Sequence, residues 1–522
     1  MGTGTIDEIA RTIAEAKGTD GTDDDWEWIQ THISHVFLDA QRVYKLRKDT
    51  TLPFLDFGSR ALRNADCLNE LRLNRRLAPD VYLGVAPVVI QDDTVSIGAP
   101  RETLTDPALE HVVVMRRLPE GRDLLALVKS DAVPDDAIPA IARRLARFHQ
   151  ENGLGRPAPF SAEDWRARCT QPALDCLPVL EQSGLFEPPR LEALRLKLAA
   201  RFEALAPTLE ARRVEGRAID GHGDLHLDHV WFETDESPPL LIDCLEFDSG
   251  LRQIDPASEL AFLTMDLRYR ERPTLAEWLL ATYALETDDY GLFPLVDVFA
   301  AYRALVRAKV AALATAQPSI EATQRKRARE SALRHLSLAE DCLETKASGE
   351  LILVCGTVGC GKSTVARGRA RDEGDIPIAS DRVRKVLAGL DPSDHRPAAT
   401  DEGLYRPEIS ASVYEGLLER AAYVLESGRT PLLDASFTKR ADRDRVRRWA
   451  EARGLRARLL EVRCGVETAR ARLAAREREG SDPSDAGPDF LETSLARFEP
   501  PEEWPAEDHQ IIRTDTEPAS SA

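Results

Sequence analysis

No stretch of the 522 residues offers the roughly 20 consecutive apolar side chains that a helix needs to cross a bilayer, which argues against a membrane protein. The first twenty residues, MGTGTIDEIARTIAEAKGTD, lack a basic segment leading into an apolar one, so no secretory signal is read there. Gly2 follows Met1, but Ile6 stands where a myristoylation signal prefers Ser or Thr. The eight cysteines contain no Cys-x-x-Cys pair, which removes the common zinc and redox motifs. Two of them, Cys355 and Cys360, flank a glycine loop that a disulfide would distort, so the expected setting is the reducing cytoplasm. Positive charge is short as well, with 69 Lys and Arg against 89 Asp and Glu and a formal net charge of −20. Such a surface repels polyanionic backbones and argues against non-specific nucleic-acid binding. No internal repeat is visible.

What is present is the balance of a soluble globular chain, 43% hydrophobic and 30% charged. The length calls for at least two domains. Up to about residue 120, short β-like runs (HISHVFL, RVYKLRK, HVVVMRRL) surround one helical segment, Ala61 to Leu77. From about Pro134 to Leu343 the pattern is mostly helical, as in Ile138 to His149 and Pro189 to Leu209, broken by two strand-like pieces, HVWFE and LLIDCLEF. A charged helical segment from Glu321 to Lys346 runs into the small-residue junction Ala347-Ser348-Gly349. The expected division is therefore 1–346 and 350–522, the first split into lobes of about 25–118 and 119–346.

After the junction the chain restarts with a buried-strand signature, LILVCG, then a glycine loop and a helix. Further strands are expected at Ile376 to Ala379, Thr430 to Asp434, Arg456 to Arg463 and His509 to Arg513. Intervening helices suit a parallel sheet. Residues Gly356 to Thr364 read G-T-V-G-C-G-K-S-T and fit the P-loop pattern. Gly356, Gly359 and Gly361 let backbone N–H groups turn toward phosphate oxygens. Lys362 reaches the outer phosphates, Ser363 is placed for Mg²⁺, and Thr364 continues into a helix whose N-terminus favours anions. Asp381 at a strand end is a candidate base for an acceptor hydroxyl, and Arg384 one turn later a candidate clamp for an anionic acceptor. Asp434 ends another apolar strand, where a carboxylate would face the metal. Arg472 and Arg476 share a helix face at i, i+4 spacing. Taken alone that helix reads as a solvated surface, but after a P-loop it resembles the lid of small P-loop kinases, with Ser481 to Asp485 as the lid's mobile end.

Together these motifs resemble the P-loop kinases related to polynucleotide 5′-kinase, gluconate-type sugar kinases and zeta-type toxins, over roughly Glu350 to Arg513. The resemblance implies ATP- and Mg²⁺-dependent phosphorylation of a hydroxyl. Asp381 and Arg384 would then be base and acceptor clamp, with Arg472 and Arg476 over the transferring phosphate.

In the first half the informative run is Asp220 to Phe232, DGHGDLHLDHVWF, followed by LLIDCLEFD. Three histidines and two aspartates in eight residues admit a metal cluster or a hydrogen-bonded loop. They also fit a kinase catalytic loop, in which Asp224 orients the acceptor hydroxyl and Asp243 carries magnesium. Upstream, Lys45 lies in the β-run Val43 to Leu46, Glu70 in the following helix, and Met115 in a run that ends near Gly121.

This pattern resembles the aminoglycoside and choline phosphotransferases, which share the protein-kinase fold, over about 25–340. The resemblance implies that Lys45 pairs the phosphates, Glu70 supports it, and Met115 lies near the adenine hinge. The family has Asn as a second magnesium ligand where this chain has His229, and the turn from Thr31 to His35 is not glycine-rich. The whole chain is similar to bacterial two-domain fusions of a phosphotransferase-like and an ATP-binding domain. The expected fold is thus α+β and α/β, a bilobal kinase-like domain followed by a P-loop kinase domain with a parallel sheet. The expected partners are small hydroxylated molecules. Two other readings stay open: a nucleic-acid 5′-hydroxyl kinase in the second half, or a ligand sensor in the first.

Overall fold

The structure is a computed structural model and describes residues 5–15, 27–52, 55–91, 94–317, 320–345, 349–392, 407–479 and 490–515. By contact the chain forms two compact units. The first takes Met1–Ala137, Phe148–Pro159 and Gly216–Glu259, and the second takes Ile138–Arg147, Phe160–Glu215 and Leu260–Ala522.

In the first unit helix α1 (Ile6–Glu15) precedes an antiparallel sheet of β1 (Glu27–Gln30), β2 (Ser34–Leu38), β3 (Arg42–Arg47), β4 (Tyr82–Gln91), β5 (Thr94–Ile97) and β6 (Glu110–Arg116), in the order β1-β2-β3-β6-β4-β5. Successive side chains of a strand point to opposite faces. Phe37, Leu46, Val112 and Val114 therefore cover one face with Ile9 and Ile13 of α1. Val85, Val113 and Met115 cover the other with Cys67 and Leu71 of α2 (Arg60–Asn74). Helix α2 starts one residue before the expected Ala61, because the Ser59 hydroxyl accepts from Leu62 N–H and caps it. Strand β4 did not stand out in the sequence. Gly84 and Pro87 interrupt its apolar pattern, yet its pairing with β6 runs through both.

The second unit contains a large helical region, which the chain re-enters at Leu260. Helices α3 (Pro256–Tyr269), α4 (Pro273–Thr287), α5 (Phe293–Thr315) and α6 (Ala322–Cys342) follow the expected texture. Helix α5 is buried on all sides from Phe293 to Leu305, as its lack of an apolar stripe requires. A five-stranded parallel sheet follows, with β7 (Leu351–Cys355), β8 (Ile376–Ala379), β9 (Pro431–Asp434), β10 (Ala457–Arg463) and β11 (His509–Arg513) in the order β8-β9-β7-β10-β11. All four expected later strands are present, two with the expected ends and two shorter by one residue. The central β7 is wholly buried, as a strand covered on both faces must be.

Arginines bind this sheet to the helices within the same unit. Arg429 donates to both carboxylate oxygens of Glu277 at 2.6 and 3.2 Å and to both of Asp297 at 3.0 and 3.1 Å. Arg268 donates to the same two groups at 2.8 Å each. Arg420 pairs with Asp288, and Arg382 donates to Leu285 O at 2.7 Å and Glu286 Oε1 at 3.1 Å. None of the described helices is long and apolar enough to cross a membrane. All eight cysteines are free.

Candidate functional site

The parallel sheet gathers the second-half residues at the carboxyl ends of its strands, where open α/β sheets bind ligands. The loop from Gly356 joins β7 to α7 (Lys362–Asp372). A Cβ on Gly356 would meet Val462 O at 2.4 Å, and one on Gly359 would meet Ala469 O at 2.9 Å, both at positive φ. Glycine is thus required twice in a cradle of the size and chemistry of a phosphate loop. Gly361 caps α7, and Thr364 lies in its exposed first turn. Lys362 Nζ donates to Gly356 O at 3.1 Å and Thr357 O at 2.9 Å, so the ammonium lies across the loop mouth.

Asp434 is buried at the tip of β9, with the Ser363 hydroxyl near enough to act on its carboxyl. Burial pushes the Asp434 carboxyl up, held back by Lys362 and that hydroxyl. Asp434 and Ala379 are register partners across β9 and β8, which brings Asp381, in the first turn of α8 (Ser380–Leu387), beside the same tip. Arg384 lies on the next turn of α8. Two oxygen donors facing a phosphate cradle suit a hard cation such as Mg²⁺.

The arginine-studded segment forms α9 (Val466–Glu479), which carries Arg472 and Arg476. Arg472 donates to Thr514 Oγ1 at 2.8 Å, Thr514 O at 2.7 Å and Cys360 O at 3.4 Å. It therefore props the phosphate loop from behind, a part that its spacing alone did not suggest. The stretch Ser481 to Asp485 lies outside the described residues.

In the first unit, Lys45 on β3 donates to Glu70 Oε1 of α2 at 3.0 Å and pairs with Asp243 Oδ1. Burial alone would lower the Lys45 ammonium, but Asp243 and Glu70 outweigh it and raise it well above its usual value. Asp243 has φ 63°, a left-handed conformation that Asp tolerates better than most residues. Its N–H donates to Tyr82 Oη at 3.0 Å, and burial, which would raise its carboxyl, is overridden by Lys45 and His229.

The catalytic-loop candidate is equally fixed. Gly223 N–H donates to Glu259 Oε2 at 2.9 Å, and His222 N–H donates to the other oxygen. Burial, then His229, pushes the His222 imidazole down to about 3, so the neutral ring donates from Nε2 to Ile242 O at 2.8 Å. His229 Nδ1 lies 2.8 Å from Asp224 O, and its Nε2 lies 3.7 Å from Asp243 Oδ2. His229 thus lies between Asp224 and Asp243, with a ring nitrogen 3.9 Å from the first carboxylate and 3.7 Å from the second. Met115 is on the α2 side of the sheet, packed in a cluster with Ile242 at its margin.

Several participants were missed. Arg47 donates to Glu70 Oε2 at 2.6 Å, Asp66 Oδ2 at 2.6 Å and Glu246 Oε1 at 2.7 Å. Its signal was the Lys-x-Arg spacing, which puts Lys45 and Arg47 on one face of β3. With four carboxylates around two cations, burial and the acidic neighbours push Glu246 up to about 8 despite Arg47.

The fold and these sites define a kinase of two parts, a protein-kinase-like phosphotransferase domain followed by a P-loop domain. The family model described as "Phosphotransferase enzyme family" matches residues 40–292, and that described as "AAA domain" matches 351–501. An uncharacterized protein of Mycobacterium tuberculosis is 33% identical over 464 residues, covering 87% of this chain and 86% of its own, and its Mycobacterium bovis counterpart matches equally. The chain belongs to the family of these mycobacterial proteins. Among solved structures, a Sinorhizobium meliloti gluconokinase is 21% identical and covers 33% of this chain and 86% of its own, at TM-score 0.22. A choline/ethanolamine kinase family protein of Mesorhizobium loti is 14% identical and covers 64% and 99%, at TM-score 0.35.

Proposed function

We propose that both halves transfer the γ-phosphoryl group of ATP to hydroxyls of small molecules, at two separate sites on one chain. The observation that carries the second-half site is a glycine loop of phosphate size, closed by Lys362 at its mouth, with the buried Asp434 carboxyl on the strand beside it. ATP with Mg²⁺, when bound, supplies the transferable phosphoryl group and neutralises its charge.

The loop amides from Gly356 to Gly361 and Lys362 hold the phosphate oxygens, and Ser363 with Asp434 holds the cation or its waters. Asp381 takes the acceptor proton, and Arg384 fixes an anionic acceptor group. Arg476 adds positive charge over the loop, while Arg472 keeps the loop in shape. In the first half, Lys45 orients phosphate with Glu70 behind it, Asp224 takes the acceptor proton, and Asp243 with His229 faces the cation. The oxygen set fits Mg²⁺ at Asp243, whereas the His229 nitrogen fits it less well.

The test is phosphoryl transfer from γ-labelled ATP into a panel of hydroxylated metabolites and oligonucleotides. Wild type is compared with Lys362→Ala and Asp224→Ala. Loss of a different product in each variant supports two kinases. Sensitivity to Lys362→Ala alone would reduce the first half to a sensor, and labelling of oligonucleotides alone would make the second half a nucleic-acid-end kinase.

A further inference from the structure

The catalytic loop brings together more nitrogen ligands than a magnesium kinase uses. Asp224, His226 and His229 each present one ligand atom, and these atoms lie within 4.8 Å of one another. The His226 and His229 rings are 3.8 Å apart between centroids. Asp224 Oδ2 is 3.8 Å from His226 Nε2. His226 is buried and the other two are half-buried, so the trio sits in a recess and not on an open surface.

The ring states suit metal binding. With Nδ1–H of His229 donated to Asp224 O at 2.8 Å, Nε2 carries the lone pair. That backbone bond also fixes the ring, as outer-shell bonds do for metal-binding imidazoles. Asp243 Oδ2, 3.7 Å from His229 Nε2, provides a second carboxylate at the rim. Two imidazoles and a carboxylate form a donor set that Mg²⁺ and Ca²⁺ bind poorly and that divalent ions from Mn²⁺ to Zn²⁺ bind well.

We infer that Asp224, His226 and His229 form a binding site for a divalent transition-metal ion of the Zn²⁺ or Co²⁺ class. Occupancy engages the Asp224 carboxylate, so a bound ion and an acceptor hydroxyl compete for the same oxygen. The inference rests on the donor geometry and stands whether or not the first half is a kinase.

Cobalt is the probe, because Co²⁺ held by protein nitrogen and oxygen ligands gives d–d absorption bands. The full chain, stripped with a chelator, is titrated with Co²⁺ in the presence of excess Mg²⁺. The expected result is one Co²⁺ with d–d bands that is displaced by Zn²⁺ and retained in Lys362→Ala. His226→Gln and His229→Asn each abolish it, since losing a direct ligand costs more than the ~10–100-fold lost with an outer-shell partner. Far-UV circular dichroism confirms that each variant is folded, and His226→Ala serves if the glutamine variant is not. Bands that survive in either histidine variant, or no Co²⁺ bound against Mg²⁺, overturn the site. Displacement of Co²⁺ by an acceptor, with no change in the His variants' transfer by the P-loop half, would separate this site from the second.

Discussion

Replacing Arg429 with methionine removes one of two cations from a buried square of charge. Arg429 is 5% exposed and makes four hydrogen bonds to Glu277 and Asp297, which in the variant must share Arg268 alone. Breaking a buried pair by removing one partner costs about 3–5 kcal/mol, because a desolvated charge is left uncompensated. The second compact unit has about 330 residues. At about 2.1 cal/mol/K per residue its unfolding entropy is about 0.7 kcal/mol/K, so the midpoint should fall by about 4–7 °C. Differential scanning calorimetry reads this directly. Adding Glu277→Gln to Arg429→Met removes one excess negative charge and should recover part of the loss. The sign with pH is also fixed. Burial would raise the Glu277 carboxyl, but Arg429 and Arg268 hold it below its usual value, so its stabilisation is lost as pH falls through the folded value. Without Arg429 that loss begins at higher pH. A midpoint lowered by less than about 1 °C would refute the claim that this cluster holds the unit together.

Three further outcomes follow from the sites. Glu246 keeps its proton up to about pH 8 in the folded chain but releases it near the ordinary carboxyl value when unfolded. Stability therefore falls as pH rises between those values, and Glu246→Gln should flatten that slope in urea midpoints measured from about pH 5 to 9. Asp434→Asn should lower P-loop transfer by about 10–100-fold without lowering the melting midpoint, because burial already disfavours the Asp434 charge. Arg472→Ala should destabilise the chain by about 2 kcal/mol in denaturant titration as well as weaken nucleotide binding. An unchanged stability would make Arg472 a lid residue and not a prop.

The parallel sheet was legible chiefly through its inner strands β7 and β9, apolar runs that end at Gly356 and at Asp434 and are buried throughout. Asp434 ends β9 as its pattern indicated, while Asp381 lies just past β8 in the first turn of α8. Strand β4 was hidden by Gly84 and Pro87, whose cost the pairing with β6 overrides. Arg472 was half legible. Its place on a helix was readable, but its partner Thr514 lies 42 residues on, beyond any local pattern. The trio of Asp224, His226 and His229 was visible as composition, and only the folded loop decides that His222 turns away to Ile242 while the other two converge.

The most direct test of two phosphoryl-transfer sites is the number of nucleotides bound. Equilibrium dialysis of the full chain with a non-hydrolysable ATP analogue and Mg²⁺ should give two per chain. Lys362→Ala and Lys45→Met should each leave one, and the double variant none. A stoichiometry of one that Lys45→Met does not change would contradict the account and leave the P-loop half as the single nucleotide site.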